Sequence, residues 1–357
     1  MKKTFSLLAV LMMLFTCIAF AEEEAVATPE LVSVAARTKV GDYGQLAVGF
    51  DLTFSAGVQG LGLTCGNIVI ENNKVHPSLP NVSMGTTAVK AFGEILSVEV
   101  DPFLYAQGFR VDVVKDGALL ASFTADDVTA ITTEVADEFA KGITESGLQY
   151  RLYAPEADGP LPLVIWFHGG GEGGTDNTKP LTANRGAVCF AEPVYQLRHP
   201  CVVLVPQSAN SWAAEELDEI AAVAEALIAD GTVDANRVYA VGLAAQQATL
   251  RFSAHHRDLL AAAMPIIYWK QFDEDWSTLV DLPMWCAIAE NDFTREAPNM
   301  VEFCEAMKAA GNENVRCTIY TDAEMAAYGL FGGLTHWGWI PSINNAEMID
   351  WLFSQSK

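Results

Sequence analysis

Asp292 and His336 are the two side chains of this 357-residue chain whose types and placement best suit proton transfer. Asp292 follows the continuous apolar run Met284-Trp285-Cys286-Ala287-Ile288-Ala289, and His336 lies in the loop Gly333-Leu334-Thr335-His336-Trp337-Gly338-Trp339. A carboxylate that holds an imidazole fixes its tautomer and leaves the far ring nitrogen to take a proton from a hydroxyl or a water. A third piece comes earlier. Leu163-Val164-Ile165-Trp166-Phe167 runs directly into His168-Gly169-Gly170-Gly171-Glu172. A glycine run at the end of a buried strand lets backbone N–H groups turn toward a cleft, where they stabilise an oxyanion. Gly169, Gly170, Gly171 and Glu172 are therefore expected at a binding site.

The nucleophile is where the pattern breaks. Val238-Tyr239-Ala240-Val241-Gly242-Leu243-Ala244-Ala245-Gln246-Gln247 reads as a strand that turns at glycine into a helix, the setting of a Gly-x-Ser-x-Gly elbow. Gly242 is present, but Ala244 stands at the serine position and Gln246 at the second glycine. A deliberate knockout would change one residue, so the joint replacement points to natural divergence. Nearby hydroxyls do not substitute readily. Ser253 lies nine residues along the helix, about 13 Å by helical rise, and Thr249 is more than one turn from the elbow tip. Ser208 and Ser211 follow a different strand at the correct end of the sheet and are the substitutes worth examining. Without any of them, His336 oriented by Asp292 can still act as general base on water.

These residues need a scaffold, and the periodicity supplies one. Leu163 to Phe167, Cys201 to Val205, Val238 to Val241 and Met284 to Ala289 are apolar runs of the kind buried on both faces of a parallel sheet. Helical faces alternate with them: Ile220, Val223, Ala224, Leu227 and Ile228, then Val301 to Ala310, then Ala346 to Phe353. The pattern predicts a doubly wound α/β domain over 137–357, with its site at the carboxyl ends of the strands. Residues 28–136 show period two instead. Leu46, Val48, Phe50, Leu52 and Phe54 alternate with smaller or polar residues, as do Leu96, Val98 and Val100, and Asp116-Gly117 forms a hairpin turn. An all-β sandwich without catalytic residues is expected there, joined by an acidic, helix-poor connector over 133–147.

From about Leu148 onward the chain resembles secreted bacterial esterases of the polyhydroxybutyrate-depolymerase and feruloyl-esterase-like branch of the α/β-hydrolases, some of which carry an immunoglobulin-like domain in front. The order nucleophile, acid, histidine is theirs, and the matching stretches are spread over the domain. They are Tyr150-Arg151-Leu152-Tyr153-Ala154-Pro155, His168 to Glu172 with Gly174-Thr175-Asp176-Asn177, Val205-Pro206-Gln207 with Asn210-Ser211-Trp212, Asp234-Ala235-Asn236-Arg237-Val238-Tyr239, His336 with Trp339, and Asp350 to Gln355. The resemblance implies Asp292 and His336 as acid and base, Gly170 and Ala245 as oxyanion donors, and Trp212 and Trp339 as pocket wall. The N-terminal region resembles the family's Ig-like domain in position and strand pattern.

Lys2, Lys3, the apolar run Phe5 to Ile18 and Ala19-Phe20-Ala21 have the layout of a secretory signal peptide over 1–21; lipidation at Cys17 is the weaker alternative, because Phe15 and Thr16 do not suit it. The net charge is −24, from 21 Lys+Arg against 45 Asp+Glu, and becomes −26 without Lys2 and Lys3. That balance opposes nucleic acid and anionic membrane surfaces as partners. No phosphate loop or metal-ligand cluster is found, so no cofactor is implied. The mature cysteines leave the disulfide pairing open, with Cys304 to Cys317 as one option. Three readings remain: a protein that binds a small-molecule or polysaccharide-linked ester without covalent catalysis, an active carboxylesterase using water or a substitute serine, and a non-catalytic surface scaffold.

Overall fold

Among the described residues, eight strands precede the larger sheet and close around one apolar core. A computed structural model describes residues 28–76, 84–209, 212–243, 247–267 and 276–357; the expected leader and Cys17 lie outside these. The strands are β1 (Leu31–Gly41), β2 (Gly44–Phe54), β3 (Ile68–Glu71), β4 (Thr86–Phe92), β5 (Ile95–Leu104), β6 (Arg110–Lys115), β7 (Ala118–Thr124) and β8 (Val128–Thr133). Among the described residues they form a five-stranded sheet in the order β4-β5-β2-β1-β8 and a three-stranded sheet in the order β3-β6-β7. Alternation puts Phe50, Leu52, Leu96 and Val98 of one sheet against Val111, Val113 and Phe123 of the other. The β6–β7 hairpin turns at Asp116 and Gly117, both at positive φ (52° and 80°), as the sequence signal requires.

The second sheet is built from β9 (Ala140–Ile143), β10 (Gln149–Tyr153), β11 (Leu161–Phe167), β12 (Val202–Gln207), β13 (Val233–Gly242), β14 (Ala262–Pro265), β15 (Met284–Ala289) and β16 (Val315–Tyr320). Its order is β16-β15-β14-β13-β11-β12-β10-β9. The run from β12 through β11 and β13 to β16 is parallel, whereas β10 and β9 add antiparallel pairs at one edge. Both faces are covered. Val164, Trp166, Val203, Tyr239 and Val241 enter one core, and their neighbours Leu163, Ile165, Phe167, Val202 and Ala240 enter the other. The helix Ala214–Ala229 buries Leu217, Ile220, Ala221 and Ala224 on the second face, while Ala346–Phe353 covers the first. This is the expected fold class, a β-sandwich followed by an α/β-hydrolase sheet.

The connector differs from expectation. β9 lies within it as an edge strand, largely exposed and so without a periodic signal, and Ala136 and Phe139 join the core of the second sheet. Val40, from the end of β1, is buried in that same core. The sandwich and the larger sheet therefore share apolar packing.

Cys304, on the helix Ala297–Ala309, is disulfide-bonded to Cys317 on β16, while Cys189, Cys201 and Cys286 are buried free thiols. The bridge spans 13 residues, and closing a loop of that size stabilises a fold by about 3 kcal/mol. Cys304→Ser should lower the unfolding free energy by about that amount. Urea denaturation with and without reductant checks this, because wild type should fall to the variant's stability only when reduced.

Candidate functional site

The carboxyl end of β11 sets the first part of the site. Phe167 pairs with Gly242 of β13, and a Cβ on Gly242 would lie 2.2 Å from the Phe167 carbonyl oxygen and 2.7 Å from its nitrogen. Only glycine lets the two strands approach there. Gly242, read from sequence as a remnant of the elbow, thus has a sufficient reason in packing. Ala244, Ala245 and Gln246 lie outside the described residues. The chain resumes at Gln247, in the left-handed region (φ 59°), immediately before the helix Ala248–His255.

After Phe167 the glycine run forms a short 3-10 turn over Gly170–Glu172. Its first glycine is engaged within the loop, since the Gly169 N–H donates to Glu172 Oε2 at 3.0 Å. The amides of Gly170 and Gly171 donate to no described residue, and a Cβ on either would meet nothing within 4 Å. Of the three glycines, these two keep amides available to a ligand. Glu172, expected as a binding residue, is instead a buried strut. It accepts from Gly169 and from Asn184 Nδ2, and its carbonyl accepts from Gln207 Nε2 at 3.0 Å. Burial pushes its carboxyl up to about 8, against the pull of those two donors.

His168 is the second strut. Its Nε2 accepts from the Ser208 amide at 3.1 Å, so Nδ1 carries the proton and donates to the Gly169 carbonyl at 2.7 Å. Burial holds the imidazole down to about 4, and it stays neutral. Trp212, expected on a pocket wall, is a core residue at 1% exposure, packed on Phe167 and His168 with ring centroids at 5.3 and 4.6 Å. Trp339 is half-buried at the start of the helix Trp339–Ile343 and packs on Trp337 at 5.5 Å.

The acid and the base meet. Asp292, three residues past β15, has a fully buried carboxylate whose Oδ2 accepts from His336 Nδ1 at 2.8 Å. Its Oδ1 accepts from the Thr294 amide at 2.8 Å and the Thr294 hydroxyl at 2.7 Å. Burial works to raise this carboxyl, but the bonds from His336 and Thr294 overcome it and hold Asp292 below the usual carboxylate range. His336 closes the 3-10 turn Gly332–His336, and the Thr335 hydroxyl donates to the Asn291 carbonyl at 2.7 Å, tying the two loops together. The Nε2 of His336 bonds to no described residue, and Phe293 packs on the ring at 4.4 Å while itself 64% exposed. Thr294 and Phe293 escaped the sequence reading. Asp-x-Thr after an apolar strand was the available signal for Thr294, a turn in which the threonine donates back to the aspartate.

Among the described substitute nucleophiles, Ser208, Ser253 and Thr249 are buried in other surroundings. Ser208 is 1% exposed, donates its hydroxyl to Glu216 Oε2 at 2.8 Å and accepts from the Trp212 amide, which makes it part of the start of the helix Ala214–Ala229. Ser253 is buried and donates to the Thr249 carbonyl, and Thr249 is buried as well. Ser211 lies outside the described residues.

Glu172 generates a pH prediction. Its native pKa, about 8, lies above the ordinary 4.5, so its stabilising protonated state is complete below 4.5 and is lost as pH rises through about 8. Glu172→Gln loses an acceptor but no longer titrates. The stability advantage of wild type over this variant should therefore shrink with rising pH, at up to about 1.4 kcal/mol per pH unit. Urea unfolding of both proteins across that window tests it, and a constant difference contradicts it.

No protein-family model and no curated protein matches the chain. Solved structures do. A thermostable esterase superposes with a TM-score of 0.71 at 27% identity, over 91% of this chain and 100% of its own. A hyperthermophilic esterase from the archaeon Pyrobaculum calidifontis aligns at 16% identity and TM-score 0.41 over 60% of this chain and 89% of its own. An α/β serine hydrolase without lid from Xanthomonas campestris aligns at 17% identity and TM-score 0.40 over 58% and 89%. The span of the first match takes in the sandwich as well as the larger sheet. The chain therefore has the α/β-hydrolase fold, similar over most of its length to the thermostable esterase, preceded by a β-sandwich.

Proposed function

We propose that this is an exported member of the esterase-type α/β hydrolases that has lost covalent catalysis and binds a carboxylic ester, free or attached to a polysaccharide, in the cleft at the carboxyl end of its parallel sheet. The observation that carries the reading is the combination of a bonded Asp292–His336 pair with Ala244 at the nucleophile position. An acyl-enzyme needs a hydroxyl beside His336 Nε2. Alanine has none, and Ser208, Thr249 and Ser253 are buried. Loss of the nucleophile in a hydrolase of this kind costs about a millionfold in turnover, while oxyanion donors and binding alone retain roughly a thousandfold over water. Gly170 and His336 are the groups left to hold the ester carbonyl and its surroundings, with Ala245 as a second backbone donor. The immunoglobulin-like character of the sandwich and cleavage after Ala21 belong to the same reading. The Cys304–Cys317 disulfide suits an oxidising compartment.

A second reading is favoured by one observation, the unbonded Nε2 of His336. A water placed there would be activated for one-step hydrolysis without a covalent intermediate.

The mature protein should turn over p-nitrophenyl, feruloyl and acetyl-xylan esters slowly or not at all, and a fluorophosphonate serine probe should leave it unlabelled. Substantial hydrolysis abolished by His336→Ala would overturn the loss of catalysis in favour of activated water. Labelling by the probe would reveal a substitute serine. The Ala244→Ser, Gln246→Gly double variant should gain esterase activity, because the remaining pair is in place; a folded but inert double variant contradicts that.

A further inference from the structure

The loop that carries His336 is poorly determined by its own sequence. Between Tyr328 and Trp339 stand Gly329, Gly332, Gly333 and Gly338, and glycine gives a backbone the widest choice of conformations. Contacts from outside must narrow that choice. Thr335 and the buried Leu330 supply two of them from within the larger domain. Asp292 and Phe293 hold His336 itself, and a further set of contacts comes from the β-sandwich.

The turn between β1 and β2 projects from the sandwich onto this loop. Tyr43, in that turn, donates its hydroxyl to the Tyr328 carbonyl at 2.5 Å, where the glycine-rich segment begins. Its ring packs on Trp337, the residue directly after His336, with centroids 5.6 Å apart. His76, also from the sandwich, touches both rings, at 4.3 Å from Tyr43 and 5.7 Å from Trp337. Trp337 in turn packs on Trp339 at 5.5 Å. Beside Tyr43, Asp42 lies 3.8 Å from Arg185, and Arg185 binds Asn344 beyond the loop at 3.0 Å and Glu192 at 2.6 Å. One hairpin tip thus holds the chain before His336 and the ring after it.

We infer that Tyr43 is a positioning residue for His336: the sandwich fixes the imidazole against Asp292 by bonding Tyr328 and packing on Trp337 at the two ends of the glycine-rich loop. The inference rests on the reading of His336 as the base that faces the ligand, and it gives the N-terminal domain a role in the site without contact with the reacting atoms. A purely structural role for the hairpin would change global stability and leave the local state of His336 alone.

The test uses the mature chain with isotopically labelled histidine and follows, by NMR, the His336 Nδ1 proton in its bond to Asp292 and the titration of the ring. Tyr43→Ala should speed exchange of that proton by about tenfold or more and shift the titration midpoint, because the packing and the hydrogen bond go together. Tyr43→Phe keeps the ring on Trp337 and loses only the bond to Tyr328, so a smaller change, about twofold to fivefold, is expected. It also decides the matter if the alanine variant does not fold. Leu119→Ala, on the exposed side of β7, should change neither readout. An unaltered His336 proton and titration in both folded Tyr43 variants would overturn the inference. Failure of the protein to bind or hydrolyse any ester would overturn the proposed function instead, and the NMR result would stand apart from it.

Discussion

The pairing of Phe167 with Gly242 is the constraint from which the site follows. Two parallel strands approach so closely at their carboxyl ends that a Cβ on Gly242 would collide with the Phe167 backbone, and the Leu243 amide then bonds to the Phe167 carbonyl at 2.8 Å. The loop after β11 and the turn after β13 therefore leave the sheet side by side. The Ile266 amide bonds to the Gly242 carbonyl at 3.0 Å and extends the same register toward β14, and β15 follows with Asp292 at its end. All of these are main-chain contacts. They fix the ends of β11, β13 and β14 relative to one another through backbone groups alone.

The loop beside that frame is held by a polar network inside low-dielectric surroundings, where an unsatisfied group is expensive and a satisfied one rigidifies. His168, Glu172, Asn184, Gln207 and Ser208 all lie at 6% exposure or less. Each has partners: His168 joins the ends of β11 and β12, Glu172 turns the Gly169 amide inward, and Gln207 receives the Asn177 amide at 2.6 Å. The network settles which glycine amides face outward. It also gives the histidine and the glutamate beside the glycine run their places in the loop. One is kept neutral by burial and the other is bonded into the loop.

Much of this was legible in the sequence because the controlling signals are local or periodic. Uninterrupted apolar runs gave β11, β12, β13 and β15, and the helix over Ala346–Phe353 showed its buried face plainly. Asp292 and His336 could be paired because each follows its element in the expected order. What remained hidden had no local signature. β14 (Ala262–Pro265) is too short and alanine-rich to stand out, and β9 is an exposed edge. The resemblance alone places Trp212 on a pocket wall, because no residue pattern around it signals a core position. Only its position between Phe167 and His168 reveals the core role. The docking of Tyr43 on Trp337 joins residues almost three hundred positions apart, and no pattern along the chain encodes such a contact.

Retention of a feature argues for function only where packing does not already demand it. Gly242 is demanded by the β11–β13 approach, and Ser208 and Trp212 by a helix start and a core. Asp292 is partly demanded too. Its carboxylate is buried with three hydrogen bonds, and removal of one partner from such a group costs several kcal/mol. Gly170 and Gly171 are different. Neither has positive φ, and a side chain on either would meet open space, so nothing in the fold excludes a larger residue there. His336 Nε2 bonds to nothing described, and Phe293 holds an apolar ring in solvent beside it. An exposed aromatic ring, an open glycine turn and an imidazole nitrogen with no described partner do little for the stability of the folded chain. They are the features of this end of the sheet that packing leaves unexplained, and the proposed ligand reading rests on them.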